Sequence, residues 1–388
     1  MKERSRWNRR EFLKVTGRTV ASMLVTSVLH ARVVRRRSEG EQRFAYVGFG
    51  ANDRESGGIA VFDCRNNAWR RTSTVPSNSP SSLVLDASER VLYAVNAVDE
   101  YEGLPSGTVE SFAIDAGDGT LRLLNRQPLS LSAIRPGDAA VTPDGRMLVV
   151  SVAGGGAYNV LPIRADGSLG GVTGIWKERG SGPRVQQGSS HPQMVAFDRM
   201  GRALSADLGS DRLSVLETDG GKLNVVGSHT VAPGKGPHQI AFHPNGRILF
   251  VANGLEASVI CYQYNVDRGQ IIRSLGEFAT RCSENAVGLA MAMDPTGDVL
   301  YTTHQQSRDG ISAWRIDQST GRLQHLQIAG EHEPPQHKLL VTSDGKTLVG
   351  WSREAGGIFA WPIATGRIGR GVQLANVTAP LSMVVKSL

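Results

Sequence analysis

The chain reads as an all-β protein, a seven-bladed β-propeller whose N- and C-terminal strands share one blade. Three observations carry that reading. One phrase recurs six times from residue 80 onward. Its turn glycines, Gly145, Gly201, Gly246, Gly297 and Gly345, are separated by 56, 45, 51 and 48 residues, a period that suits a blade of four strands. Strand-like segments without a partner are left at both ends of the chain.

The phrase is an apolar run, a turn containing Gly, a basic or polar residue, and a second apolar run beginning with Leu. Its copies are Leu83-Val-Leu-Asp-Ala-Ser-Glu-Arg-Val-Leu92, Ala140-Val-Thr-Pro-Asp-Gly-Arg-Met-Leu148 and Val195-Ala-Phe-Asp-Arg-Met-Gly-Arg-Ala-Leu204. They continue with Ile240-Ala-Phe-His-Pro-Asn-Gly-Arg-Ile-Leu249, Met291-Ala-Met-Asp-Pro-Thr-Gly-Asp-Val-Leu300 and Leu340-Val-Thr-Ser-Asp-Gly-Lys-Thr-Leu348. Each reads as a hairpin with a Pro-Asp-Gly type turn, in which Pro, where present, presets φ and Gly, where present, supplies φ > 0. A third, alternating strand follows, such as Gly310-Ile-Ser-Ala-Trp-Arg-Ile316, and then a fourth, such as Gly321-Arg-Leu-Gln-His-Leu326. Trp314 and Trp361 hold equivalent third-strand positions and read as blade core.

The seventh blade is assembled from the ends. Phe44–Phe49, Gly58–Phe62 and Trp69–Thr74 lack a preceding strand, and Leu381–Val385 is an orphan. Joining them closes the ring and leaves no long free edge. A β-sandwich is the competing arrangement, but its strands do not repeat at this period.

The first 31 residues read as a removable export signal. Asn8-Arg9-Arg10-Glu11-Phe12-Leu13-Lys14 resembles the bacterial twin-arginine signal. Val15–Leu29 is weakly apolar and too short and polar to span a bilayer. Residues 1–31 are therefore expected to be the signal, 32–43 a disordered linker and 44–388 the propeller. The expected partner is the twin-arginine export machinery, with no stable membrane span after cleavage and a periplasmic or secreted mature protein.

The formal charge of +7 is concentrated in that signal: residues 1–31 carry seven basic and two acidic side chains, leaving 36 basic against 34 acidic. Such a balance gives no phosphate-backbone surface, so nucleic acid is not expected as a partner. Cys64, Cys261 and Cys282 make no even disulfide framework, leaving room for one disulfide and one free thiol in an oxidising compartment, and have no zinc spacing. No metal or other cofactor is expected. Gly154-Gly155-Gly156 reads as a strand-connecting loop, since no helix or Lys follows.

In an antiparallel meander the Gly turns open on one face of the ring. The loops entering each first strand, and those following each second strand, open on the other and surround the channel. Those positions hold His191, Gln193, His238, Gln239, Asn253, Glu284, His304 and His337. A ring of His, Gln, Asn and Glu in a channel mouth suits dense hydrogen bonding to a sugar-like ligand. The competing reading of each residue is a solvated loop group or a tie between blades.

At these residues the chain resembles the lactonase family of seven-bladed propellers, which includes bacterial 6-phosphogluconolactonases and fungal muconate-lactonising cyclases. Gly236-Pro-His-Gln-Ile-Ala-Phe-His-Pro-Asn-Gly-Arg-Ile-Leu-Phe-Val-Ala-Asn-Gly-Leu255 is similar to the family phrase Gly-Pro-Arg-His-x-x-Phe-His-Pro-Asn-x-x-x-x-Tyr-x-x-Asn-Glu-Leu. His191-Pro-Gln-Met-Val-Ala-Phe197 and Ala206-Asp-Leu-Gly-Ser-Asp211 are similar to its His-Pro-His-Ser-x-x-Phe and Asp-Leu-Gly-x-Asp. The departures fall on the chemistry. Arg-His becomes His238-Gln239, the Glu after Asn becomes Gly254, and the second His becomes Gln193. A polar Asp-Ile-His segment falls on Ala290, Met291 and Ala292. Later Arg positions fall near Gln305 and His337, with Arg308 left to return a guanidinium from a shifted loop. A phosphate ester is held best by bidentate Arg, so weak selection for a phosphorylated sugar is expected.

The resemblance implies hydrolysis of a sugar-type lactone. That needs a base to activate water and donors for the carbonyl oxyanion, without a covalent nucleophile. His191 or His238 is the expected base. Gln193, Gln239 and Asn253 are the expected donors, with Glu284, His304, Arg308 and His337 completing a substrate site. No Gly-x-Ser-x-Gly elbow points to a serine esterase. The alternative is a non-catalytic propeller that binds a carbohydrate or an envelope protein with the same face.

Overall fold

The phrase recurs because each copy builds the same turn. The computed structural model describes residues 43–51, 57–64, 69–280 and 288–387. In it, the residue following each first strand caps the turn through its side chain. Thr142 Oγ1 and Thr342 Oγ1 accept from the Met147 and Thr347 N–H groups at 3.0 Å. Asp198 Oδ1 accepts from Arg202 N–H at 2.9 Å, and Asp294 Oδ1 from Val299 N–H at 2.7 Å. Three residues after each cap, Gly145, Gly201, Gly297 and Gly345 have φ of 73°, 83°, 80° and 68°, where a Cβ is strained. A short polar cap and a left-handed glycine are the two demands that stamp the repeat on the sequence.

These hairpins extend into seven antiparallel sheets, each of at least four strands. The innermost strands, which ring the channel, are Pro80–Leu85, Pro136–Val141, Pro192–Phe197, Pro237–Phe242, Leu289–Met293, Lys338–Val341 and Pro380–Ser387. Blades one to six follow this order, and the seventh is the composite. There Pro380–Ser387 pairs with Arg43–Phe49, placing Tyr46 opposite Val384, and Gly58–Asp63 and Arg70–Pro76 complete the sheet. The ring thus closes through both chain ends, as the leftover segments require. Blade six departs from the simple meander: Arg367–Ile368 pairs with the end of Gly357–Ala364, and Val372–Asn376 pairs with its start. Seven separate sheets exclude a sandwich.

Apolar side chains pack between neighbouring blades. Tyr46, Leu92 and Phe112 join the composite blade to blade one, and Tyr158, Val195 and Phe197 join blades two and three. Second strands such as Val91–Asn96 and Ile248–Asn253 are buried throughout, since blades cover both their faces. Outer strands such as Leu121–Pro128 are largely exposed. Trp314 and Trp361 are buried third-strand core, and Trp314 Nε1 donates to Thr302 Oγ1 at 2.9 Å. Cys64 and Cys261 are buried and not bonded to each other. The export signal, residues 32–42 of the linker, Cys282 and Glu284 lie outside the described residues. Among those described, no helix is long and apolar enough to cross a membrane.

One local feature prepares the site. In blades one to four the innermost strand opens on Pro80, Pro136, Pro192 or Pro237, and the register slips across the next residue. Proline cannot donate to the ladder and suits a strand's first position. The extra residue is a β-bulge, which re-aims its side chain. The bulged residues are Ser81, Gly137, Gln193 and His238, and Leu381 stands in the same place in the composite blade.

Candidate active site

The bulges open into a central cavity of about 330 Å³, at the small end of the range for ligand pockets. Its mouth gathers Ser82, Asp138, His238, His337, Lys338 and Arg353 from blades one, two, four and six.

Asp138 is held from both neighbouring blades. Ser82 Oγ donates to Oδ1 at 2.9 Å, and Val195 N–H to Oδ2 at 3.4 Å. Burial raises its carboxyl pKa, opposed by the Lys338 charge and these donors. Lys338 opens the innermost strand of blade six and lines the same cavity. Its charge acts on both Asp138 and His238, yet among the described residues no ion pair takes up its ammonium. His238 reaches the cavity from its bulge. Burial and then the Lys338 charge lower its pKa to about 4, with the Leu289 carbonyl acting the other way. Its imidazole is neutral at physiological pH, and Nδ1 has no hydrogen-bond partner. Gly254 lies directly beneath: a Cβ there would stand 3.2 Å from His238 Cβ. The position where the resemblance expects Glu thus holds no carboxylate beside this ring.

His337 is also neutral. Burial and the charge of Arg353 lower its pKa to about 4, and its Nδ1 accepts from the Arg353 N–H at 3.3 Å. Arg353 lines the cavity with Nε donating to the Pro380 carbonyl at 3.3 Å, and burial lowers its pKa. The guanidinium in the cavity wall is therefore Arg353. Arg308 pairs with Glu354 and reaches the His332 carbonyl at 3.5 Å, outside the cavity lining.

Several expected ligand residues are engaged in the scaffold. Gln239 lines the cavity but clasps blade five: its Nε2 donates to the Met291 carbonyl at 2.8 Å and its Oε1 accepts from Met291 N–H at 2.9 Å. His191 lies outside the lining, with Nδ1 3.0 Å from the Ala153 carbonyl and its backbone N–H 2.7 Å from Asp207 Oδ1. Since a carbonyl only accepts, Nδ1 carries the proton there. Asn253 is fully buried and donates to Ser258 Oγ at 2.9 Å, and His304 is buried at the end of Val299–His304. Neither lines the cavity. Gln193 does, with Nε2 3.3 Å from the His191 carbonyl. Sequence reasoning thus brought His238, Gln193, Gln239 and His337 to the cavity and missed Asp138, Lys338 and Arg353. Among the described residues, no group of three His, Cys, Asp or Glu side chains is arranged to hold a metal.

A free cation, an under-solvated carboxylate and neutral imidazoles around a small channel cavity can polarise a carbonyl and move a proton. Known proteins share the scaffold. The 6-phosphogluconolactonase of Bacillus subtilis (strain 168) is 24% identical over 354 residues, 88% of this chain and 98% of its own length. The 6-phosphogluconolactonase of Pectobacterium carotovorum subsp. carotovorum (strain PC1) is 27% identical over 61% of this chain and 72% of its own. The structure of a periplasmic gluconolactonase of Pseudomonas aeruginosa superposes with a TM-score of 0.80 at 20% identity, covering 89% of this chain and 99% of that one. The family model described as lactonase, 7-bladed β-propeller, matches residues 44–385. With a match that runs through all seven blades, the chain belongs to the lactonase family of seven-bladed β-propellers.

Proposed function

We propose that the protein hydrolyses a sugar-type lactone in the channel mouth. The observation that carries this reading is the convergence of Asp138, Lys338 and His238 from three blades on one cavity. Asp138 accepts a proton from water as the water oxygen bonds to the lactone carbonyl carbon. A raised carboxyl pKa makes it a stronger base than an ordinary carboxylate. Lys338 donates to the carbonyl oxygen and stabilises the oxyanion as it forms. The ring C–O bond then breaks, and the departing oxygen takes the proton back from Asp138, leaving the hydroxy acid. Neutral His238 orients the water or the ring, and Gln193 is a further donor.

The residues expected from the sequence at the mouth enter with unequal parts. His238 is preferred to His191 as the imidazole in contact with substrate, because His191 is tied to blade two. His304, Arg308 and Asn253 do not line the cavity and are given no contact with substrate in this reading. Little selection for a 6-phosphate is expected, since the positions where the resemblance expects Arg fall on His238 and near Gln305 and His337. The Arg9-Arg10 signal and the likeness to a periplasmic gluconolactonase support twin-arginine export and a periplasmic or secreted place of action.

A second reading, a binding propeller without turnover, is favoured by Gly254 beneath His238 and by the use of Gln239 as a clasp. Hydrolysis of glucono-1,5-lactone and its 6-phosphate by the mature protein, above the spontaneous rate, separates the two. The lactonase reading expects turnover of both, lost in His238→Ala and better kept in His191→Ala. No turnover of either lactone supports the binding reading.

A further inference from the structure

The cavity is lopsided. On blade four only His238 and Gln239, the second and third residues of the innermost strand, line it. On blade one the lining runs from Ser81 to Leu85, and on the composite blade from Leu381 to Val385. At about 3.3 Å per residue, those strands carry the wall roughly 13 Å down the channel. The deep wall is aliphatic: Val84, Leu340 and Val384 lie there, with Met194 on the side of blade three. At the mouth, Leu381 occupies the place that Ser81, Gln193 and His238 hold on other blades. Polar and charged groups thus gather around the mouth, and below them runs a half-buried aliphatic pocket continuous with the same cavity. A polyhydroxylated arm placed there would leave its hydroxyls without partners.

We propose that the favoured substrate is a lactone whose ring carries an aliphatic chain where a sugar lactone carries its hydroxymethyl arm. The chain lies against Leu340, Leu381 and Val384, and the ring stays at the mouth. This rests on the lactonase reading and moves its favoured substrate from a sugar-type to an alkyl-bearing lactone. The occupant is set by continuity: whatever fills the deep wall is attached to the molecule held by Asp138, Lys338 and His238.

The test compares glucono-1,5-lactone with δ-hexalactone, δ-octalactone and δ-decalactone, using the mature protein and Val384→Thr, a change of nearly equal volume. A parallel titration measures binding of δ-valerolactams bearing the same alkyl chains, which resist hydrolysis. Burying each methylene is expected to raise kcat/KM about fourfold until the cavity is full, with a flatter series in Val384→Thr. Turnover of glucono-1,5-lactone with no gain from chain length overturns the inference and leaves the lactonase reading standing. If no lactone is turned over, the lactonase reading falls, and the lactams decide the pocket. Binding that tightens with chain length upholds it, and binding indifferent to length overturns it.

Discussion

Lys338 and Asp138 approach the channel from opposite sides of the ring, on blades six and two, and no ion pair closes between them. The Lys338 charge opposes the burial that raises the Asp138 carboxyl pKa. On the lactonase reading, the carbonyl and its attacking water lie between these two groups.

Asp138→Asn is expected to lower kcat/KM by about 10²–10⁴, the usual weight of a positioned general base. The same change should stabilise the fold at neutral pH. A carboxyl with a raised folded pKa holds its proton more tightly when folded, so stability falls as pH rises above its unfolded value of about 3.9. Asn keeps an acceptor for Ser82 without the buried charge. Thermal melts should place the variant at or above wild type at pH 7, with the gap closing toward pH 4.

Lys338→Met removes the proposed carbonyl donor, and a loss of about 10²–10³ in kcat is expected. Because Lys338 lowers the Asp138 pKa, its removal should also move the acid limb of the kcat/KM profile to higher pH. An unmoved limb would separate Lys338 from Asp138.

Gln239→Ala leaves both the Met291 N–H and carbonyl without their partner across the blade four to blade five interface. A buried unsatisfied group costs about 1–3 kcal/mol, so a marked fall in Tm is expected. Activity of the folded fraction should fall less than in Asp138→Asn. A large KM change with an unchanged Tm would return Gln239 to the role of substrate ligand.

His238 and His337 both titrate at about 4 in the folded protein, below the ordinary value near 6.5. Their neutral forms are favoured by folding, so this stability is fully present above about pH 6.5 and is lost as pH falls toward 4. Tm should decline across that window. The decline should be shallower in His337→Asn, measured by calorimetry at half-unit steps.

The fold was legible because its demands repeat. The turn cap recurs through the hairpins, the left-handed glycine recurs in five of the six, with Glu89 in its place in the first, and Leu381–Val385 had to find Phe44–Phe49. The site was legible in part, because a ring position says which face a residue joins but not what its side chain touches. Gln239 and Asn253 sit where ligand groups were expected, yet their amides join strands and blades. Asp138 and Lys338 were missed by a small margin of register. Asp138 is the second residue after Pro136, as Gln239 is after Pro237, and Lys338 follows His337 directly. Aligning the opening prolines would have found Asp138. Only the closed ring brings Lys338 across to it.

The most direct measurement is the initial rate of acid release from glucono-1,5-lactone, corrected for spontaneous opening, with the mature protein and Asp138→Asn side by side. Catalysis by the wild type, and its loss in a variant that melts at or above the wild-type temperature, is the predicted result. Equal rates in the two proteins, or a wild type no faster than buffer on this lactone and on δ-decalactone alike, would contradict the assignment of the channel site.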